Sequence, residues 1–255
     1  SLTVVESIKA FPQNIEIEVK GPVAGGTMKN FHYSISRIEG SRGFKPRAAD
    51  ERVGFFVTNY TDLGKFDWAD TSQRLINRWH IEKADPKLKL SPPKEPIVYY
   101  VDHTVPIRYR RYVKQGIEYW NEAFREIGID GAIQVQYQDK TTGANMEKDP
   151  EDVRYNFIRW ISNDIATAIG PSRVNPMTGE ILDADVVLTD GWIRVFTYRW
   201  DDLLSNLATE GLSPETMSWL EQNPRWDPRL RLATPSVRER ILEERSMRDS
   251  MSMYG

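Results

Sequence analysis

The run "IVYYV" (Ile97 to Val101) is apolar at every position. A strand with no polar side must be covered on both faces, and such strands belong mostly to parallel sheets. The next forty residues supply the means. Pro106 can occupy the first turn of a helix, where its missing N–H costs nothing. Val113, Ile117, Trp120, Phe124 and Ile127 then recur at spacings of four and three, one apolar stripe on a helix. Gly128 is placed to cap it. "AIQVQYQD" alternates Ile133, Val135 and Tyr137 against glutamines. Strand, helix and strand at this length predict a right-handed βαβ unit.

The next strand is "VRYNFIRWIS" (Val153 to Ser162), rich in aromatic and β-branched residues. Beyond it stands "AIGPSRVNPMTGEILDADVV" (Ala168 to Val187). Pro171 has no N–H to give to a ladder, so it belongs at a sheet edge. Asn-Pro and Gly in "NPMTGE" make a turn. "ILDADVVL" comes next, with Leu182, Ala184, Val186 and Leu188 on one face and Asp183 and Asp185 on the other. The simplest reading is a hairpin whose first arm, about Ala166 to Val174, is the edge and whose second arm lies further in. An edge kept open by Gly170 and Pro171 can take an extended peptide by strand addition. Alternatively, the proline only guards the edge against aggregation.

Upstream, "NIEIEVK" (Asn14 to Lys20) alternates Ile15, Ile17 and Val19 against Glu16, Glu18 and Lys20, the pattern of a half-buried strand. "NFHYSISRIE" and "RVGFFVTNY" (Arg52 to Tyr60) read as further β segments. Residues 61–96 are charged and end in Pro92, Pro93 and Pro96; they read as a linker, with a short helix or strand near Leu75 to Ile81. Downstream, Trp200, Leu203, Leu204 and Leu207 are spaced for a helix. Ser213-Pro214 and Thr234-Pro235 each pair a cap with a first-turn proline. The last helix has a weak stripe (Val237, Ile241, Leu242) and no clear stop.

Composition narrows function by exclusion. A net charge of −3 offers no basic field for nucleic acid. No apolar run approaches the roughly 20 residues of a membrane span. With no Cys there is neither a disulfide nor a thiolate nucleophile. The three histidines, His32, His80 and His103, lie on separate predicted elements, none paired at i, i+4. His32 and His80 read as surface or packing residues, and His103 as a strand-end residue beside Asp102. Asp183 and Asp185 form either a carboxylate pair or cation site, or a strand face that is solvated or carries its charge inward. Asp149, Glu151 and Asp152 make an acidic loop with a weak Ca²⁺ reading. Trp79, Trp160 and Trp192 read as core or interface residues. No Gly-rich phosphate loop and no G-x-S-x-G elbow is present.

Five motifs stand in fixed order: "RVGFFVTNYTDL", "INRWHIEKADP", "PIVYYVDHTVPIRYRRYVKQGIEYWNEAFREIGI", "DPEDVRYNFIRWISN" and "AIGPSRVNPMTGEILDADVV". Together they resemble large, exported, multi-domain bacterial zinc-dependent metalloproteases of the metzincin type. The resemblance covers about residues 50–192. It implies an α+β or α/β chain. Residues 1–60 would hold the last strands of a β-rich N-terminal domain, and 61–96 a linker. Residues 97–192 would be the upper, N-terminal half of a metzincin-like catalytic domain with a mixed, mostly parallel sheet. Residues 193–255 would be a helical insertion that stops before the zinc helix.

The resemblance also implies an antiparallel edge lining the substrate cleft, here Ala168, Ile169, Gly170, Pro171 and Ser172, and favours the peptide-binding reading of that edge. The family's H-E-x-x-H-x-x-G-x-x-H helix, whose histidines hold Zn²⁺ and whose Glu is the general base, is absent from this sequence. No catalytic or metal residue is therefore expected here, and no cofactor in this chain, with Zn²⁺ belonging to a longer parent. The expected partners are a peptide or protein substrate and the C-terminal half of the catalytic domain; the expected location is periplasmic or extracellular. The alternative is a non-catalytic peptide- or glycan-binding scaffold on the same fold.

Overall fold

A computed structural model describes residues 3–64, 66 and 71–252. Side chains at 201, 202, 204–206 and 248–252 lie outside the description, and with them the Leu204 position of the predicted tail helix. The fold is mixed α+β, with several sheets, one of them built on parallel pairs. The chain divides into two compact units. One holds residues up to Ile161 together with Ala168–Leu188; the other holds Ser162–Thr167 together with residues from Thr189 onward.

The first unit opens with three antiparallel strands in the order β1 (Val4–Ala10), β2 (Asn14–Pro22), β3 (Met28–Ser36). Cross-strand register stacks Val5 on Val19 and Phe31, Ile8 on Ile17 and Tyr33, and Ala10 on Ile15 and Ile35. Paired residues share a face, so this is one apolar ladder. The alternation of "NIEIEVK" predicts that this ladder turns inward, and the structure reverses it. Glu16 is 4% exposed and Asn14 3%, whereas Ile15 is 44% and Ile35 60% exposed. The reason is a polar cluster on the other face. Glu16 accepts hydrogen bonds from Asn14 Nδ2 (2.5 Å) and Ser34 Oγ (2.5 Å) and pairs with His32 Nε2 (2.6 Å). Asn14 in turn donates to Glu151 O and accepts from Val153 N. A buried carboxylate survives only when its lone pairs are filled, and these are.

Of the β segment predicted over Arg52 to Tyr60, only the end forms a strand, β4 (Val57–Thr61); the glycine at 54 precedes it in irregular chain. Its antiparallel partner β5 (Ser72–Ile76) lies inside the predicted linker, and Ile76 is buried.

The central sheet matches the sequence pattern closely. β6 (Ile97–Val101) runs parallel to β7 (Ile133–Tyr137) on one side and to β8 (Asn156–Ile161) on the other. The strand order is β11-β8-β6-β7, with β11 (Val186–Thr189) outermost. Val101, Val105, Ala132, Phe157 and Ile158 form the most buried part of the core. Pro106 precedes α1 (Ile107–Glu118), which continues through Tyr119, itself in helical geometry, into α2 (Trp120–Glu126). Gly128 at φ +85° comes just after the last turn; a Cβ there would lie 2.5 Å from Lys89 O. The helical stripe is only partly seated. Ile117, Trp120 and Phe124 face Ile97, Tyr99, Ile133, Ile158 and Val186 across an apolar gap of about 380 Å³.

The predicted hairpin is split. Its second arm is two strands, β10 (Ile181–Ala184) and β11, separated at Asp185. β10 pairs with the short β9 (Ser172–Val174) as its own ribbon, with a register shift between Ile181 and Asp183. Only β11 joins the central sheet. The split is caused by Asp185: its N–H donates to Pro171 O (3.1 Å) while its carboxylate accepts from Phe157 N (2.7 Å) on β8. One residue therefore serves both pieces, and the strand bends there.

The second unit is helical: α3 (Asp190–Leu207), α4 (Pro214–Gln222), a 3-10 turn at Pro224–Trp226, α5 (Pro228–Leu232) and α6 (Pro235–Ser252). Ser213 caps α4 by accepting from Thr216 N (3.3 Å). Asp227, fully buried, caps α5 through Arg229 N (2.9 Å) and binds the Arg229 and Arg245 guanidiniums. Leu220, Leu230, Ala233 and Val237 make its small core. Gly191, near the start of α3, donates to Asn163 O; a Cβ there would sit 2.6 Å from Ile165 O.

Candidate functional site

The edge segment is built by two contacts. Ile169 and Val187 exchange both backbone hydrogen bonds (3.1 and 2.7 Å) as an antiparallel pair, and Pro171 O accepts from Asp185 N. Backbone groups of successive strand residues point to opposite sides. Ile169 and Pro171 face β11 and its approach, and Gly170 stands between them with no backbone hydrogen bond to β11. Ile169 is 59% exposed, and Gly170, Pro171 and Ser172 are exposed as well; Ala168 is half-buried. Of the five expected substrate-edge residues only Ile169 pairs with β11, as a single bridge; the arm expected over Ala166 to Val174 is a strand only at Ser172–Val174. Ser172 also begins β9, opposite Ala184.

Beneath this rim of exposed chain lies a cavity of about 270 Å³ bounded by Pro171, Ser172, Arg173, Asp183 and Asp185. Asp183 and Arg173 are cross-strand partners in the β9–β10 ribbon, which puts them on one face. The Arg173 fork is drawn away: its terminal nitrogens donate to Ser36 Oγ (2.9 Å) and Ser34 Oγ (2.7 Å). Asp183 is 9% exposed, and its Oδ1 is buried with no hydrogen-bond partner among the described residues. Arg173 Nε is in the same condition. Burial first, and then the Asp185 carboxylate beside it, push Asp183 up to about 7, against the pull of Arg173. Burial also raises Asp185, opposed by the hydrogen bond from Phe157 N and by Arg159 and Arg173. Burial, with these two carboxylates, pushes the Tyr99 phenol up to about 12. Two carboxylates held in low dielectric, with no ion pair to a cation among the described residues, resist ionising together. Asp183 carries its charge inward and Asp185 is half-buried, which is the inward-charged form of the strand-face reading. The sequence missed Arg173 and Tyr99. Arg173 had a signal, a basic residue two positions after the proline; it gains meaning only once the ribbon register is known.

The other candidates separate. His103 Nδ1 lies 3.0 Å from the buried Asp102 and 3.4 Å from Gln138 Oε1. His80 lies between Glu82 (3.4 Å) and Glu180 (3.9 Å), and His32 belongs to the Glu16 cluster. In the acidic loop, Asp149 and Glu151 hold Lys9 Nζ at 3.1 and 2.8 Å, while Asp152 holds Arg154. Trp160 stacks on Tyr109 in the core, Trp79 lines the apolar gap, and Trp192 packs on Phe196.

Residues 1–84 match the family model of a domain of unknown function, DUF5117. That stretch contains β1 to β5 and ends before the central sheet begins. No curated protein matches the chain, and no solved structure does. Among the described residues no three His, Cys, Asp or Glu side chains converge as metal ligands. The described residues do not fit a zinc centre. Among the described residues no helix is long and apolar enough to cross a membrane.

Proposed function

We propose that this chain is the cleft-edge portion of a zinc-dependent metallopeptidase of the metzincin type, and that its own work is to hold an extended peptide along Ala168–Ser172. The observation that carries the reading is the pairing of Ile169 with Val187 beside the exposed Gly170 and Pro171; in extended chain the Gly170 N–H would then face the open side. The parallel β6–helix–β7 unit, in a sheet whose outermost strand β11 bears that pairing, supports it. A peptide added there gains main-chain hydrogen bonds, and its alternate side chains reach pockets in the flanking surface. In the parent, Zn²⁺ bound elsewhere would polarise the scissile carbonyl and lower the pKa of water. The parent is an exported protein, working in the periplasm or outside the cell.

The test uses short extended peptides with capped ends. Binding should protect the Gly170 amide from hydrogen exchange. N-methylation of alternate peptide amides should abolish it, since methylation deletes the donors that strand addition needs. A peptide that binds equally well when N-methylated defeats the edge reading. The chain alone should cleave none of these peptides and should show no tight Zn²⁺ site by calorimetric titration; one stoichiometric sub-micromolar site would overturn the assignment of the metal to another part of the parent. An H-E-x-x-H-x-x-G-x-x-H pattern encoded after Gly255 would decide for the peptidase, and a stop codon there for a binding scaffold.

A further inference from the structure

We propose that the cavity bounded by Pro171, Ser172, Arg173, Asp183 and Asp185 is a subsite for a lysine side chain of the peptide laid along the Gly170 rim. The inference rests on the edge reading for its peptide but on separate atoms for its chemistry.

The cavity meets the rim itself, since Pro171 and Ser172 belong to both. A side chain pointing inward from an added strand has about 270 Å³ to enter. At the cavity wall is Asp183 Oδ1, an acceptor that is buried and without a partner among the described residues. Leaving such a group unpaired costs free energy, and a ligand that donates to it recovers that cost. The donor should be cationic. Asp183 is buried and Asp185 half-buried, and neither carboxylate forms an ion pair among the described residues; the nearby Arg173 spends its terminal nitrogens on Ser34 and Ser36. A positive group between them removes both the burial penalty and the mutual repulsion.

An ammonium fits better than the alternatives. A guanidinium binds best as a fork across two free oxygens. Asp185 already gives Oδ1 to Phe157 N, so a fork laid across the two carboxylates would meet an oxygen already engaged. A divalent metal ion prefers six or more oxygen ligands, and two carboxylates beside an arginine supply too few. A lysine head is compact, carries three rotatable donors, and sits on an apolar stem that Pro171 can cover.

Proton bookkeeping supplies a second signature. The charged groups around the pair are Asp152, Arg159 and Arg173, with the Tyr99 phenol alongside. Below about pH 7 the pair holds a proton, which an arriving ammonium must displace. Affinity for lysine should therefore rise with pH across neutrality, while affinity for an uncharged side chain of the same length should not.

The experiment compares capped pentapeptides Ala-Ala-X-Ala-Ala, with X as lysine, norleucine or glutamate, on the intact chain. At pH 8 the lysine peptide should bind roughly ten-fold tighter than the norleucine peptide, and the ratio should shrink toward one at pH 5.5. The Asp183→Asn and Asp185→Asn variants, which keep shape and the Phe157 hydrogen bond, should lose the preference and retain norleucine binding. Equal binding of lysine and norleucine peptides, still abolished by N-methylation, overturns the lysine subsite and leaves the edge reading standing. n-Butylammonium, titrated alone and tracked through the amide signals of Asp183 and Arg173, separates the opposite case. Saturable binding without any peptide binding keeps the cationic pocket and removes the edge. No binding of either removes both; tight Ca²⁺ binding that displaces n-butylammonium overturns the lysine subsite alone and makes the pocket a metal-cation site.

Discussion

Asp183 shows how one side chain can cost stability in exchange for chemistry. Its folded pKa, about 7, stands above the ordinary aspartate value. Between the two values the folded chain holds the proton that the unfolded chain has released. Stability therefore falls as pH rises from about 4 through about 7 and levels off above that. Glu16, Asp152 and Asp227 have lowered pKa values and act in the opposite sense, losing stability as pH falls. The difference between wild type and Asp183→Asn isolates the one residue. Urea unfolding should find the variant more stable at pH 8 by on the order of 2–4 kcal/mol and nearly equal at pH 4. A variant that is less stable at pH 8 would show that the carboxylate is satisfied by a partner in solution.

At the scale of elements, the turn between β9 and β10 is held from outside. Gly179 has φ +78°, and a Cβ there would lie 2.6 Å from Ile76 O on β5. Its carbonyl accepts from Arg78 N, and Ile181 N returns a bond to Arg78 O. The ribbon carrying Asp183 is thus clamped to the end of β5. Gly179→Ala should cost about 2–4 kcal/mol, from a left-handed backbone and a contact with main chain that cannot yield. Thermal unfolding would measure it; a cost under about 0.5 kcal/mol, a typical surface substitution, would mean the turn is not clamped. The legible elements were those whose pattern is local. The apolar run at Ile97 to Val101, the stripe from Val113 to Ile127 and the glutamine alternation after Gly131 each fix a strand or helix from neighbours alone. Strand β5 was legible only as a short helix or strand near Leu75 to Ile81, because its signal is one buried residue, Ile76, whose partner Val57 lies 19 positions away. The split at Asp185 was hidden, because "ILDADVVL" alternates without a break, and only the two bonds made by Asp185 bend it. The same blindness to partners inverted the faces of β2: periodicity states which residues go together, not which group meets the interior.

For the whole molecule, that inversion has a measurable outcome. The ladder of Val5, Ile8, Ile15, Phe31, Tyr33 and Ile35 lies in water, each of these side chains 38–64% exposed. Contiguous apolar surface of this kind binds hydrophobic dyes and drives self-association. The chain should enhance the fluorescence of an anilinonaphthalene dye at pH 7. Replacing Ile8 and Tyr33 by threonine, which keeps β propensity, should remove most of that signal without unfolding the sheet. No enhancement in the wild type would mean that the ladder is covered.

Neither unit is a continuous stretch of chain: the polypeptide leaves the first after Ile161, returns at Ala168 and leaves again after Leu188. Within the second, Thr189 Oγ1 donates to Ile165 O and Thr167 O, Gly191 N to Asn163 O, and Arg194 grips Asp164. A ribosome finishing Leu188 has therefore issued all but the last residue of the described strands, yet the loop 162–167 still waits for anchors not yet translated. Stop codons placed at Leu188 to obtain the sheets alone would strip that loop of its moorings. A cleaner excision replaces residues 162–167 with a short glycine bridge at the same time.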